Sequence, residues 1–173
     1  MRFGKNFFEE KSFLSVEKDL RLIVEKLMGN KDLMKLLYYT QKDCMEGKEL
    51  TIQEIYSMIN HQIKIIPYIP IDESCPIVLI ITMGGFKPNI KNPEFRDCTI
   101  RFDILCHPDH WNLGDFELRP FKIAGEIDSM LDRKKLSGIG ETRFIGGDRL
   151  VLNDKLMGLT LLYSVIHGVE DKL

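Results

Sequence analysis

The stretch from Cys98 to Leu131 constrains the fold most, because a strand, a loop and a helix follow one another there. In the segment CTIRFDILC, apolar side chains take every second position: Cys98, Ile100, Phe102, Ile104 and Cys106. Side chains at alternate positions of a strand point to the same face. The pattern therefore predicts a strand with one buried face and one wetter face.

The segment LRPFKIAGEIDSML, from Leu118 to Leu131, predicts an amphipathic helix. Its apolar stripe comprises Leu118, Phe121, Ile123, Ala124, Ile127, Met130 and Leu131. We expect this helix to cover the buried face of the strand. The loop before it, HPDHWNLGDFE, is long for a simple connection and is therefore a candidate for contacting something else.

Three helices are predicted before the main strands. They run from Val16 to Met28, from Lys31 to about Met45, and from Ile52 to Ile63. Each follows a residue that can cap a helix, and Thr51 with Glu54 has the spacing of a capping box at the start of the third.

The strands follow these helices. IVLIITM, from Ile77 to Met83, predicts a central strand that pairs with the Cys98 strand, and the segment GGFKPNIKNPEFRD between them predicts an unusually long hairpin loop. After the central helix, ETRFI and RLVLN predict two strands joined by a turn at Gly146 to Asp148. KLMGLTLLYSVIHG predicts a long last strand, with a bend at Gly158 as one reading.

This order predicts an α+β fold. We expect a mainly antiparallel sheet of about five strands, with the central amphipathic helix packed on it and the three helices before it. A chain of 173 residues fits one domain. We assign residues 15–168 to that domain, with a helical part at 15–64 and the sheet and helix at 77–168. Residues 1–14 form an N-terminal arm that either packs or orders against a partner, and residues 169–173 form a tail.

Composition and charge narrow the functional classes. With 24 basic and 26 acidic residues, the net charge of −2 provides no global attraction to nucleic acid or to an anionic membrane. Hydrophobic residues make up 44% of the chain, but no apolar run approaches the length of about 20 residues that a membrane helix needs. The charged N-terminus argues against a signal peptide, so we expect the protein to stay where it is made. The four cysteines form no C-x-x-C pair and are predicted to be reduced thiols.

One cluster could bind a metal ion, because Cys106, His107, Asp109 and His110 offer four potential ligands in five residues. Three observations favour polar, capping or interface roles instead. Pro108 stiffens the segment, the strand pattern points Cys106 into the core, and no second cluster with ligand spacing exists elsewhere in the sequence.

Other catalytic constellations are weaker. Asp103, Glu126 and Asp128 could serve a metal-dependent nuclease, but the Glu-x-Lys pattern of such enzymes is missing. Ser74 and Cys75 lack the G-x-S-x-G context of a presented nucleophile. We therefore expect no enzyme activity, no catalytic or metal-binding residues and no cofactor.

Two further features each have a structural and a functional interpretation. One is a group of basic residues, which we expect to form a solvated face more than a surface that binds phosphates. The group comprises Arg101, Arg119, Lys122, Arg133, Lys134 and Lys135. Trp111, the only tryptophan, is either tucked against the edge of the sheet or used as an interface anchor.

Three segments together resemble a known group. The strand IRFDILCHPD, the helix LRPFKIAGEIDSML and the final strand LMGLTLLYSVIHG, in this order and with a glycine-turn hairpin, resemble the tail-completion proteins of tailed bacteriophages. That group includes tail terminators and the ring proteins of the head-to-tail connector or neck. The segments are also similar to virion neck proteins of crAss-like phages. The resemblance spans roughly residues 77–168, and the three N-terminal helices exceed a minimal tail terminator.

The resemblance implies a structural virion protein that forms a homo-oligomeric ring of six or twelve subunits. It would adjoin portal, connector or tail ring proteins, and genomic double-stranded DNA would pass through its lumen without sequence specificity. No membrane is implied, and assembly would occur in the cytoplasm of the bacterial host. The alternative is a small soluble enzyme or metal-binding domain that uses the Cys106 to His110 loop. The expected subunit contacts are Phe3, Phe7, Phe8, Phe13, Phe86, Pro88, Ile90, Phe95, His107, His110 and Trp111.

Overall fold

The structure is a computed structural model that describes residues 13–66, 75–90, 96–136 and 140–167, without the side chains of residues 13–15, 166 and 167. Its helices are α1 (Phe13–Met28), α2 (Lys31–Tyr38), α3 (Ile52–Ser57) and α4 (Arg119–Leu131). Its strands are β1 (Ile63–Lys64), β2 (Ile77–Pro88), β3 (Arg96–Cys106), β4 (Lys135–Leu136), β5 (Gly140–Glu141), β6 (Arg143–Val151) and β7 (Met157–His167).

Five strands form the main sheet, in the order β1-β2-β3-β7-β6. All neighbours are antiparallel except β1, which lies parallel to β2. Strands β4 and β5 form a separate two-stranded ribbon after α4. The predicted α+β class, with a mainly antiparallel sheet and a helix packed on it, is confirmed.

The two faces of β3 differ as its sequence pattern predicts. Its even-numbered residues from Cys98 to Cys106 are buried in the main core, where they meet Ile123, Ile127 and Leu131 of α4. Helices α1 and α2 extend this core. On the opposite face, Leu105 joins a small second cluster with Val78, Ile80 and Leu156. Leu105 is the apolar residue on the otherwise polar face of CTIRFDILC, and it packs in this second cluster.

The second and third helices are shorter than predicted. Helix α2 ends at Tyr38, and residues 44–46 form a separate 3-10 turn, because main-chain carbonyls at the end of α2 are bound by another side chain, described below. Helix α3 ends at Ser57, where Asn60 takes a left-handed conformation (φ 66°) that reverses the chain. Ile63 then enters the sheet as part of β1 instead of continuing the helix.

Two pairs of adjacent glycines, for which the sequence predicts a loop or a turn, lie within strands in the structure. Strand β6 runs unbroken through Gly146 and Gly147, with an irregularity in pairing between Phe144 and Gly146. The two predicted strands and their turn are therefore one bulged strand, since an added residue in a ladder can be absorbed as a bulge. Strand β2 likewise continues through Gly84 and Gly85 to Pro88, with a bulge at this point, so the hairpin loop is shorter than predicted.

Gly158 lies inside β7, directly across the sheet from Leu105 of β3. A Cβ atom at this position would overlap the main-chain carbonyl oxygen of Ile104. The glycine therefore allows a close approach of two main chains.

The first turn of α4 departs from its predicted apolar stripe. Phe121 is 57% exposed and Leu118 is 36% exposed, whereas Arg119 and Pro120 are buried. The row Arg119, Ile123, Ile127 and Leu131 has the four-residue spacing of one helix face, and this row faces inward. Within the part of the chain that the structure describes, no helix has the length and apolarity needed to cross a membrane.

Candidate interaction surfaces

The potential ligands at the end of β3 do not converge. Cys106 is buried in the core, and burial raises the pKa of its thiol to about 12. His107 Nδ1 accepts a hydrogen bond from the Asp109 N–H at 3.3 Å, whereas His110 Nδ1 lies 3.1 Å from the carbonyl oxygen of Thr40. Among the described residues, no three His, Cys, Asp or Glu side chains are placed to hold a metal ion.

The nuclease candidates lie on opposite sides of the sheet. Asp103 is on the face away from α4, where its carboxylate accepts hydrogen bonds from Arg101 (2.8 Å) and Thr160 (2.5 Å). Glu126 and Asp128 belong to α4 on the other face. Asp128 accepts a 2.7 Å hydrogen bond from the Tyr163 hydroxyl. Burial and this contact raise the pKa of Tyr163. These carboxylates hold the fold together instead of meeting around one ion.

Hydrogen bonds and the packing of Trp111 fix the conformation of the loop between β3 and α4. The Trp111 Nε1–H donates to the carbonyl oxygen of Cys106 at 3.2 Å, and the indole packs against the core. The Arg119 N–H donates to the carbonyl oxygen of Trp111 at 2.8 Å, and the Leu113 N–H donates to that of Glu117 at 2.9 Å. Trp111 thus takes the first of its two readings, packed in place, and its contact with a neighbouring subunit stays a prediction.

Arg119 organises the same loop, and the prediction that it lies on a solvated basic face is wrong. It is fully buried. Its guanidinium has five N–H groups, and each donates to a main-chain carbonyl at 2.7–3.2 Å. The acceptors are His110, Leu36, Tyr39, Thr40 and Gln41.

A signal for this role was present in the sequence. Arg119 shares the four-residue spacing of Ile123, Ile127 and Leu131, so it falls on the buried row of α4. The positive charge of Arg119 also affects the pKa of the neighbouring Cys44 thiol. Burial raises the pKa of Cys44, and the Arg119 guanidinium opposes that shift.

The tip of the loop exposes an aromatic side chain that sequence reasoning did not single out. Phe116 is fully exposed. Asp115 (φ 55°) and Phe116 (φ 64°) are both left-handed, a conformation that costs energy for residues other than glycine. The exposed Phe121 and Leu118 follow shortly after in the sequence. The tip of the loop therefore presents the Phe116 side chain to solvent.

The residues predicted to contact a neighbouring subunit differ in how exposed they are. Ile90 is 96% exposed and Pro88 is exposed, whereas Phe86 is half-buried against the core. His107 and His110 are partly exposed. Phe13 begins α1, although its side chain is not described. Phe3, Phe7, Phe8 and Phe95 lie outside the described residues.

Exposed apolar side chains also lie at both ends of the strand order. On β6, Phe144 is 46% exposed and Ile145 is 56% exposed; Val151, at the end of the strand, is 65% exposed. At the other end, Ile65 and Ile66 directly follow β1 and are 41% and 54% exposed. The two edges of the sheet therefore each present apolar surface.

A protein-family model named YomW matches residues 30–165, from the N-cap of α2 almost to the end of β7. The chain belongs to the YomW family. YomW takes its name from a gene of an SPβ-like phage region of Bacillus, and it associates this protein with bacteriophages. The YomW match includes α2, α4 and the main sheet, and with them every residue bound by Arg119. Among curated proteins, a search found no match.

Proposed function

We propose that this protein is a structural component of a phage virion that forms a homo-oligomeric ring in the head-to-tail connector or neck. Membership of the YomW family supports the phage association. The resemblance of the strand, helix and final strand to tail-completion proteins supports the finer role. In this proposal the ring surrounds the DNA channel and adjoins portal, connector or tail ring proteins.

The observation that carries the proposal is the position of exposed apolar side chains at the two opposite edges of the sheet. Phe144 and Ile145 lie on one outer strand, and Ile65 and Ile66 follow the other. A closed ring needs two different contact surfaces on each subunit, because every subunit meets one neighbour on each side. Apolar residues at such positions lose contact with water on assembly, and this burial favours the ring.

The remaining roles follow from the same reading. The net charge of −2 fits a lumen through which DNA passes without being gripped. We propose no reaction for the protein. Its place would be the virion, after assembly in the cytoplasm of the bacterial host.

The test is the mass of the purified full-length protein, measured by light scattering over a range of concentrations. We expect particles of six or twelve times the 20.1 kDa of one chain, and rings in electron micrographs. A monomer at every concentration contradicts the proposal. Stoichiometric zinc binding that His107→Ala and His110→Ala abolish would instead support the metal-binding alternative.

A further inference from the structure

The tip of the loop between β3 and α4 carries exposed apolar side chains, which we call the tip patch: Phe116, Leu118 and Phe121. Glu117, between the first two in the sequence, forms a 2.6 Å ion pair with Lys122, which follows the third. This ion pair joins the loop to the first turn of α4 and brings the three apolar residues into one region of the surface. Because Phe116 is fully exposed, its ring is available to a partner.

The surface around the tip patch is acidic. Between residues 107 and 122 the exposed charges are the carboxylates of Asp109, Asp115 and Glu117 and the ammonium of Lys122. Three negative charges and one positive charge give this surface a net charge of −2, since Arg119 is buried and bound to main-chain carbonyls. An aromatic segment with positive charges would complement this surface.

The segment before α1 has this chemistry. Twelve residues precede Phe13, where α1 begins. The first eight of them contain two basic residues, Arg2 and Lys5, and no acid. Their aromatic residues are Phe3, Phe7 and Phe8. The segment can therefore bury aromatic rings on the tip patch and place positive charges beside the acids of the loop.

The segment begins far from the tip patch of its own copy. Helix α1 lies towards the beginning of β3, where Asp19 is close enough to the Cys98 thiol to add to the effect of burial in raising its pKa. Asn30, just after α1, donates to Glu126 in the second half of α4 at 2.8 Å. The tip patch follows the other end of β3. From Cys98 to Cys106 the strand extends roughly 26 Å, at about 3.3 Å per residue.

The reach of the segment points to a second copy as the partner. Phe8 precedes Phe13 by five residues, so a fully extended chain places their Cα atoms at most about 18 Å apart. This distance is shorter than the length of β3 that separates α1 from the loop. Phe7 and Phe8 therefore reach the tip patch of another copy more readily than that of their own.

We infer that residues 2–8 of one copy bind the tip patch of a neighbouring copy, with Phe7 and Phe8 packed on Phe116 and Phe121. This inference rests on the proposed ring and names one of its subunit contacts. The segment and the tip patch are two different surfaces at different ends of the molecule. Such a contact is heterologous, as the contacts of a ring with more than two subunits are.

The first test is disulfide cross-linking between two variants of the full-length protein, Asn6→Cys and Gly114→Cys. A Cβ atom at Gly114 meets no atom within 4 Å, so we expect this variant to fold normally. Both variants also carry Cys75→Ser, because Cys75 is the one native cysteine that is not buried. Under mild oxidation, position 6 should join position 114 of another chain on the order of 100-fold faster than it joins the Leu22→Cys control, because binding raises the effective concentration.

The second test asks whether the tip patch causes this cross-linking. Adding Phe116→Ser to the Gly114→Cys variant should lower the rate to that of the control, because the exposed ring is lost. Tyr56→Ser, on α3 and 62% exposed, should leave the rate unchanged. Circular dichroism should be the same for all variants. Added salt should also slow the reaction, because it screens the basic residues from the acids.

Light scattering of the wild type separates this inference from the proposed ring. A ring in which cross-linking to position 114 is no faster than in the control overturns the inference and leaves the ring in place. A disulfide that forms within single chains carrying both cysteines, at a rate independent of protein concentration, overturns the contact between copies. A wild-type monomer overturns both proposals.

Discussion

Arg119 connects two segments that are about 80 residues apart in the sequence. Its side chain extends from the first residue of α4 to the carbonyl groups at the end of α2 and after it. Carbonyl groups at the end of a helix have no partner within the helix, and they carry a partial negative charge that favours a cation. The guanidinium therefore acts as a cap for α2 that is supplied by another helix.

We predict that Arg119→Ala lowers the free energy of unfolding by at least about 3 kcal/mol, because buried carbonyl groups lose their donors and a cavity remains. The free energy of unfolding of Arg119→Lys should lie between those of the wild type and Arg119→Ala, because an ammonium group has three donors where the guanidinium has five. Urea unfolding measures both variants. Arg21→Ala is the control; this exposed arginine pairs with Glu17 on α1, and its loss should cost at most about 0.5 kcal/mol. A loss below about 1 kcal/mol for Arg119→Ala would show that the cap is unimportant.

At the scale of elements, the sequence correctly predicts those helices and strands whose apolar residues follow a single helical or strand period. The alternation in β3 and the four-residue spacing in α4 are strong because each element packs on a single core. Ile59 and Ile63, by contrast, fit the helical spacing of α3, yet Ile63 belongs to a strand. The pattern does not reveal that pairing with Leu79 competes for the same residue.

The interaction surfaces were harder to predict for a related reason. Phe144 and Ile145 have the composition of a buried strand, and only the order of strands in the sheet makes them an edge. Phe116 follows Asp115 in a turn whose conformation depends on contacts formed by Trp111, Glu117 and Arg119. Both features arise from tertiary structure, which a local pattern does not encode.

Replacing each of two glycines by alanine should have opposite effects on stability, because one glycine lies between two closely packed strands and the other lies on an open helix surface. Gly158→Ala should lower the free energy of unfolding by about 2 kcal/mol or more, because the new methyl group overlaps the carbonyl oxygen of Ile104 and the two strands must separate. Gly125→Ala, in α4, meets no atom within 4 Å and should raise it by about 0.5–1 kcal/mol. Chemical denaturation of both variants measures the difference. Equal effects would mean that β3 and β7 are less closely packed at Gly158 than described.

At the scale of the whole molecule, two buried thiols make stability depend on pH in the alkaline range. Burial raises the pKa of Cys98 and of Cys106 from 9.0 to about 12. Below pH 9 both thiols are protonated in the folded and the unfolded chain. Between pH 9 and pH 12 the unfolded chain releases these protons while the folded chain keeps them. Stability therefore falls as the pH rises through this window.

We predict a decrease of about 1.4 kcal/mol per pH unit for each thiol, from the linkage relation. Urea unfolding at pH 8, 9.5 and 10.5 measures the slope. The Cys98→Ala variant should have a slope shallower by about the contribution of one thiol, whatever its stability at pH 8. An unchanged slope in this variant would mean that Cys98 titrates normally in the folded protein.

The long-range cap at Arg119 also limits how genes of this family can exchange parts. A crossover between two related genes that falls between codons 41 and 110 joins the end of α2 from one parent to the arginine of the other. The recombinant folds well only if both parents place these groups to within a hydrogen-bond length. Viable exchange is therefore expected mainly outside this interval, so the helices of the N-terminal half and the sheet are inherited together.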